Sequence, residues 1–139
     1  MKLPVQGKVQ IFLDGKLVSA GKNTVVTSGL VLLAQRIFGT EGIMLPNEMR
    51  LGDNGASTTV DMTGLQGTTQ ATASATASLV GRVLAFDSEF RYLGDNSFEF
   101  KEVGLFNAAG TMLCRFLTSF LTVYPGAQIK IHWEITIGD

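Results

Sequence analysis

The sequence predicts a mainly β protein: an antiparallel β-sandwich with one short α-helix near residues 28–38. Three observations predict it. The segment QIKIHWEITIG alternates apolar and polar residues over nine positions, the period of a strand with one buried face. Asp14-Gly15 separates two β-rich runs, a strong hairpin signal. Strand-like runs follow one another without helical crossovers, which implies antiparallel pairing and two packed sheets.

The elements follow in order. Val9, Ile11 and Leu13 alternate with Gln10 and Phe12 ahead of the Asp14-Gly15 turn, so residues near 8–13 should pair with residues near 16–20. In TSGLVLLAQRIFG, Thr27 or Ser28 is the expected N-cap. Leu30, Leu33, Ala34, Ile37 and Phe38 fall at helical spacing and form the expected buried stripe, and Gly39 is the expected left-handed stop. Residues 48–51 read as a short strand entering the loop GDNGASTT. From Asp61 to Ser78 the chain is small and polar, with almost no charge. It reads either as a surface loop or as an arm that orders against a neighbouring subunit by β-pairing. Residues 79–87 and 89–93 are candidate strands, and Gly94-Asp95-Asn96 is a turn. Phe98 and Phe100 alternate with Glu99 and Lys101. EVGLFNAAGTMLCRF then reads as strand, turn, strand. In the last run Ile129, Ile131, Trp133, Ile135 and Ile137 face one way, while Lys130, His132, Glu134 and Thr136 face the other. The total is seven or eight strands and one helix. They belong to a single domain over residues 1–139, with an N-terminal arm at 1–7 and an extended loop or arm at about 52–78.

Composition narrows the function. Eleven Lys and Arg balance twelve Asp and Glu, a formal charge of −1, so no basic field is available for nucleic acid. Charged residues are 17% of the chain, below the usual quarter, which fits surface hidden in partners. The N-terminus lacks the apolar run of a signal peptide. The apolar stretch around residues 30–38 is far too short to span a bilayer. The reading is therefore no membrane and synthesis in the cytoplasm.

Catalytic groups are scarce. His132 is the single histidine and Cys114 the single cysteine, so there is no disulfide and no zinc-ligand spacing. His132 belongs to the polar face of its strand. Cys114, between Leu113 and Arg115, reads as a small core side chain, and only His132 could serve it as a base. Asp53, Asn54 and Asp61 carry oxygens that suit calcium, but their spacing departs from an EF-hand loop and acidic residues in such loops usually make turns. No Gly-rich phosphate loop is present. Trp133 falls on the isoleucine face, which argues for core over a sugar-binding platform. The reading is no enzyme, no cofactor, no metal and no small-molecule substrate. Glu102, in a strand of apolar neighbours, is expected to bond backbone N–H groups or Arg115 across its hairpin.

KEVGLFNAAGTML resembles a motif of tailed-bacteriophage virion proteins, especially the attachment domains of tail-collar and tail-fibre proteins. There a strand reading (R/K)-E-(V/I)-G-L-F leads through Asn or Asp and a short turn to Gly and a second apolar strand. The matching positions are Lys101, Glu102, Val103, Gly104, Leu105, Phe106, Asn107, Gly110 and Leu113. VVTSGLVLLAQRIFG resembles a leading helix of small phage tail-associated proteins, MRLGDNGAS their following strand and loop, and IHWEITIG their final strand. The resemblance covers about two-thirds of the chain in patches. It implies a non-enzymatic, oligomeric virion component, an adaptor or attachment module in the tail, baseplate or fibre region. A capsid decoration (cement) protein of the head shell is the alternative. The implied partners are copies of the chain and other virion structural proteins. Because the chain stops at Asp139 without a shaft or receptor-binding tip, attachment is expected rather than host recognition. Residues 61–78, 1–7 and 52–58 are the expected contact surfaces.

Overall fold

A computed structural model describes residues 5–138. The chain runs β1 (Val5–Leu13), β2 (Lys16–Val25), α1 (Thr27–Phe38), β3 (Pro46–Gly52), β4 (Thr69–Ser74), β5 (Thr76–Val80), β6 (Val83–Arg91), β7 (Phe98–Asn107), β8 (Met112–Val123) and β9 (Gln128–Ile137). All pairings are antiparallel. The strand order β4-β3-β7-β8-β2-β1-β9-β6-β5 makes one nine-stranded sheet, nearly closed into a barrel and folded on itself as a sandwich.

Two corners produce that shape. β2 pairs with β1 as far as Asn23, then Thr24 and Val25 pair with Arg115 and Cys114 of β8, so the strand passes from one layer to the other. On the opposite side a single residue, Ala75, separates β4 from β5, and its N–H donates to Asn47 O at 2.8 Å. The sheet's two edge strands are short, β4 of six residues and β5 of five, which limits the free edge to manage.

The alternation in β9 carries through to the core. Ile129, Ile131, Trp133 and Ile135 are fully buried, against Phe86 of β6 and Val9 and Ile11 of β1 on their own layer and against β3, β7 and β8 across the sandwich. A one-residue slip would place that set in water. The first hairpin is longer than expected but has the expected turn: Asp14 at φ 50° and Gly15 at φ 80°, the paired positive angles that match the twist of the flanking strands.

Several expectations are corrected. Of the N-terminal arm at 1–7, residues 5–7 belong to β1, paired with β9, and the remainder lies outside the described residues. In the arm at about 52–78, residues 69–74 and 76–78 are strands hydrogen-bonded to β3 and β6. Thr-rich chain does accept β-pairing, but here the acceptors are strands of the same chain. The strand expected over 79–87 is broken by a tight turn at Gly81-Arg82, and β6 instead runs on to Arg91. β7 unites two expected pieces. Its inward parity changes at the irregularity between Phe100 and Glu102, so Phe98 and Phe100 share a core with Val103 and Leu105. Glu102 is thereby turned to the other face.

Helix α1 spans 12 residues. Its N-cap is Val26, and no side chain caps it; the Ser28 hydroxyl donates instead to Met112 O of β8 at 2.9 Å. Gly39 ends it in the left-handed conformation, at φ 84°. The expected buried stripe is displaced. Gly29 and Leu32 are the buried residues and Leu33 packs partly on the core, while Leu30, Ala34, Ile37 and Phe38 are exposed. Gly29 explains the orientation. A β-carbon there would overlap the backbone of Leu113, so the helix rests directly on β8 at the one residue that permits contact.

Candidate interaction surface

The face of β7–β8 opposite the core is covered by two structures, the loop at 53–68 and α1. The loop is held by a buried ion pair. Arg115 Nε donates to Glu102 Oε1 at 3.0 Å, and both side chains are wholly buried. The Glu102 carboxylate also accepts the backbone N–H groups of Asn54 (3.1 Å), Gln66 (2.9 Å) and Gly67 (2.8 Å). The two terminal nitrogens of Arg115 donate to Ala56 O (2.7 Å), Thr58 Oγ1 (2.8 Å) and Asn54 O (3.0 Å). The pairing expected across the hairpin is therefore present, and it gathers both ends of the loop. Burying two charges is costly unless their remaining hydrogen-bonding positions are filled. Here the loop backbone fills them.

Asp53, Asn54 and Asp61 sit in this loop, each in a separate local bond. Asp53 accepts Thr68 N–H at 2.8 Å and the Gln70 amide at 3.2 Å. Asn54 Oδ1 accepts Ala56 N–H at 2.8 Å, and Asp61 accepts the Thr59 hydroxyl. Their oxygens do not converge. Among the described residues no three His, Cys, Asp or Glu side chains are grouped to hold a metal ion.

Cys114 and His132 are not brought together. Cys114 is buried in β8, and burial pushes its thiol well above the ordinary range, which leaves it inert as a nucleophile. His132 stands on the outer face of β9. Nδ1 lies 2.5 Å from Asp87 Oδ1 on β6 and Nε2 lies 3.0 Å from Glu134 Oε1. Those two carboxylates, Asp87 foremost, raise the imidazole above its ordinary value. In turn His132, with Lys8 at 3.4 Å, holds Glu134 below the usual carboxylate range. The cluster is a charged ladder across three strands. No hydroxyl or thiol is among its hydrogen-bond partners.

The other cover, α1, shows an apolar face to solvent. Leu30, Val31, Ile37 and Phe38 are 45, 50, 81 and 89% exposed. Met44, also exposed, lines one groove with Val31 and continues the patch beyond the helix. A mostly apolar groove of about 560 Å³ runs beside it, between α1, the chain at 42–44 and the β7–β8 turn. Asn107 builds that turn: its Oδ1 accepts Thr111 N–H at 2.9 Å, and its Nδ2 donates to Met44 O at 3.1 Å. The resemblance-bearing hairpin thus supplies the Glu102–Arg115 lock on one side and one wall of the groove on the other. Sequence reasoning named the hairpin and missed the surface, because it assigned the outward residues of α1 to the core. The available signal was apolar residues on every side of the helix, with only Gln35 and Arg36 to break them after the opening Thr27-Ser28.

Among the described residues no helix is long and apolar enough to cross a membrane. Compared with protein-family models, curated proteins and solved structures, the chain matches none.

Proposed function

We propose that this chain is a non-enzymatic structural component of a tailed-phage virion, an oligomeric adaptor or attachment module of the tail, baseplate or fibre region that acts through its surfaces. The observation that carries this reading is the uncovered apolar face of α1 beside the E-V-G-L-F hairpin. A monomer in water gains nothing from such a face, whereas a subunit that docks does. The motif supports the same reading, since its residues build the platform on which α1 and the 53–68 loop rest. The groups that chemistry would need are otherwise engaged: the thiol is in the core and the imidazole is held between two carboxylates. The partners in this reading are copies of the chain and other virion proteins, with no role for nucleic acid or a small-molecule substrate. Gold-labelled antibody against the chain, viewed on intact phage particles, tests it. Label on the tail or baseplate is expected. Label on the head shell alone replaces the reading with capsid decoration, and particles without label remove it.

A further inference from the structure

We propose that the outward face of α1 is a homodimer interface, packed antiparallel on α1 of a second copy about a two-fold axis through Ala34. This rests on the reading of the chain as a self-assembling module and names the surface and the partner.

The helix itself carries the argument. At about 100° per residue, Thr27, Leu30, Val31, Ala34, Ile37 and Phe38 share the outward side, and all six are exposed. Their spacing is i, i+3, i+4, i+7, i+10 and i+11, the pattern of a helix-packing seam. None is charged. Arg36 lies off this side and donates to Ile43 O at 3.2 Å. A solvated helix shows the reverse arrangement, polar outside and apolar inside.

The order of residues selects the occupant. Counted from Ala34, the large side chains sit at minus four, minus three, plus three and plus four: Leu30, Val31, Ile37 and Phe38. A two-fold axis at Ala34 therefore sets Leu30 and Val31 against Ile37 and Phe38 of the partner subunit, and the converse. That is the self-complementarity an isologous contact demands. The small residue falls where the two helices cross most closely. Charge agrees. Arg36 and Glu41 flank the face with one charge of each sign, so it favours neither an acidic nor a basic partner. Area agrees as well. With Met44 at 51% exposed, the patch leaves on the order of 650 Å² uncovered, approaching the roughly 800 Å² per partner of a standard interface.

The test is the mass of the purified chain by sedimentation equilibrium across the micromolar range, with three variants. The wild type should have twice the chain mass or an even multiple. Ala34→Glu and Ala34→Lys, both good helix formers, each set like charges on the axis. Each alone should associate at least about a hundredfold more weakly, with circular dichroism and Trp133 fluorescence unchanged. Mixing the two should restore association. Ala34→Cys should be linked to its copy by a short bis-maleimide, because Cys114 is buried; it decides the matter if the charged variants do not fold. A monomeric wild type, a folded Ala34→Glu protein that keeps the wild-type mass, or an Ala34→Cys protein that does not cross-link would each overturn the proposal. A dimer in solution with no label on any phage particle would leave it standing and remove only the virion assignment.

Discussion

The loop at 53–68 and helix α1 cover the same face of the β7–β8 hairpin by opposite means. The loop has few large apolar side chains and is held by polar bonds within the chain: each side-chain nitrogen of Arg115 and each carboxylate oxygen of Glu102 has at least one partner. Helix α1 is held through Gly29, Ser28 and Leu32, and its apolar side faces away. One region is satisfied alone and the other is not. Buried charge must be matched inside the chain that folds, whereas an apolar face can wait for a second molecule. In the proposed reading, that difference lets the domain fold by itself and leaves α1 for a second molecule.

The contrast can be broken first at the loop. Glu102→Gln removes the charge facing Arg115 and replaces one acceptor with an amide that competes for acceptors. Loss of one partner of a buried pair costs about 3–5 kcal/mol, the largest effect expected here, read from urea unfolding followed by Trp133 fluorescence. Proteolysis should move to the 53–68 loop in the variant. Next is Gly29→Ala, which forces a methyl group into the backbone of Leu113. Overpacking of this kind costs about 1–3 kcal/mol, and the loss of helical signal should precede global unfolding. Ser28→Ala leaves Met112 O without its donor, at about 1 kcal/mol, measurable as a lower urea midpoint with an unchanged slope.

A smaller effect lies in the charged ladder on the outer face. The folded-state pKa of His132 is raised. Its contribution is therefore fully present below the ordinary histidine value of about 6.5 and is lost as pH rises through the raised value. Glu134, lowered by His132 and Lys8, contributes above the usual carboxylate range and less as pH falls. The ladder is strongest between the two ranges. Because the groups are partly exposed, the change should stay below about 1 kcal/mol and shrink with salt. His132→Gln should remove the fall in stability that this ladder produces as pH rises above about 6.5. The smallest effect on the stability of the dissociated monomer is expected for Ala34→Glu, within about 0.5 kcal/mol when measured at concentrations too low for association, although its effect on association is the largest.

How much was legible in the sequence follows the same physics. β9 and the first hairpin could be read because strict alternation and the Asp14-Gly15 turn are local signals. The Glu102–Arg115 contact was also foreseeable, since within the apolar stretch Glu102–Phe116 they are the one acid and the one base. β4 and β5 were not legible as strands. Their side chains are mostly Thr, Ala and Ser, so no apolar face marks them, and their pairing depends on the distant strands β3 and β6. The parity change in β7 was hidden for a related reason, because an irregularity leaves no mark in an apolar pattern. Helix α1 was recognised with its bounds nearly right and its orientation wrong. With apolar residues on every side, periodicity alone could not say which face is inward. Gly29 decides that, and a glycine's reason becomes visible only once Leu113 lies against it.

Amide hydrogen exchange at several protein concentrations tests the contrast most directly. Protection across Thr27–Phe38 should rise with concentration as the apolar face is covered by mass action, while the amides of Asn54, Gln66 and Gly67, bonded to Glu102, should be protected equally at every concentration. Protection of α1 that does not change with concentration, or loop amides that exchange as fast as an unstructured peptide, would contradict the account.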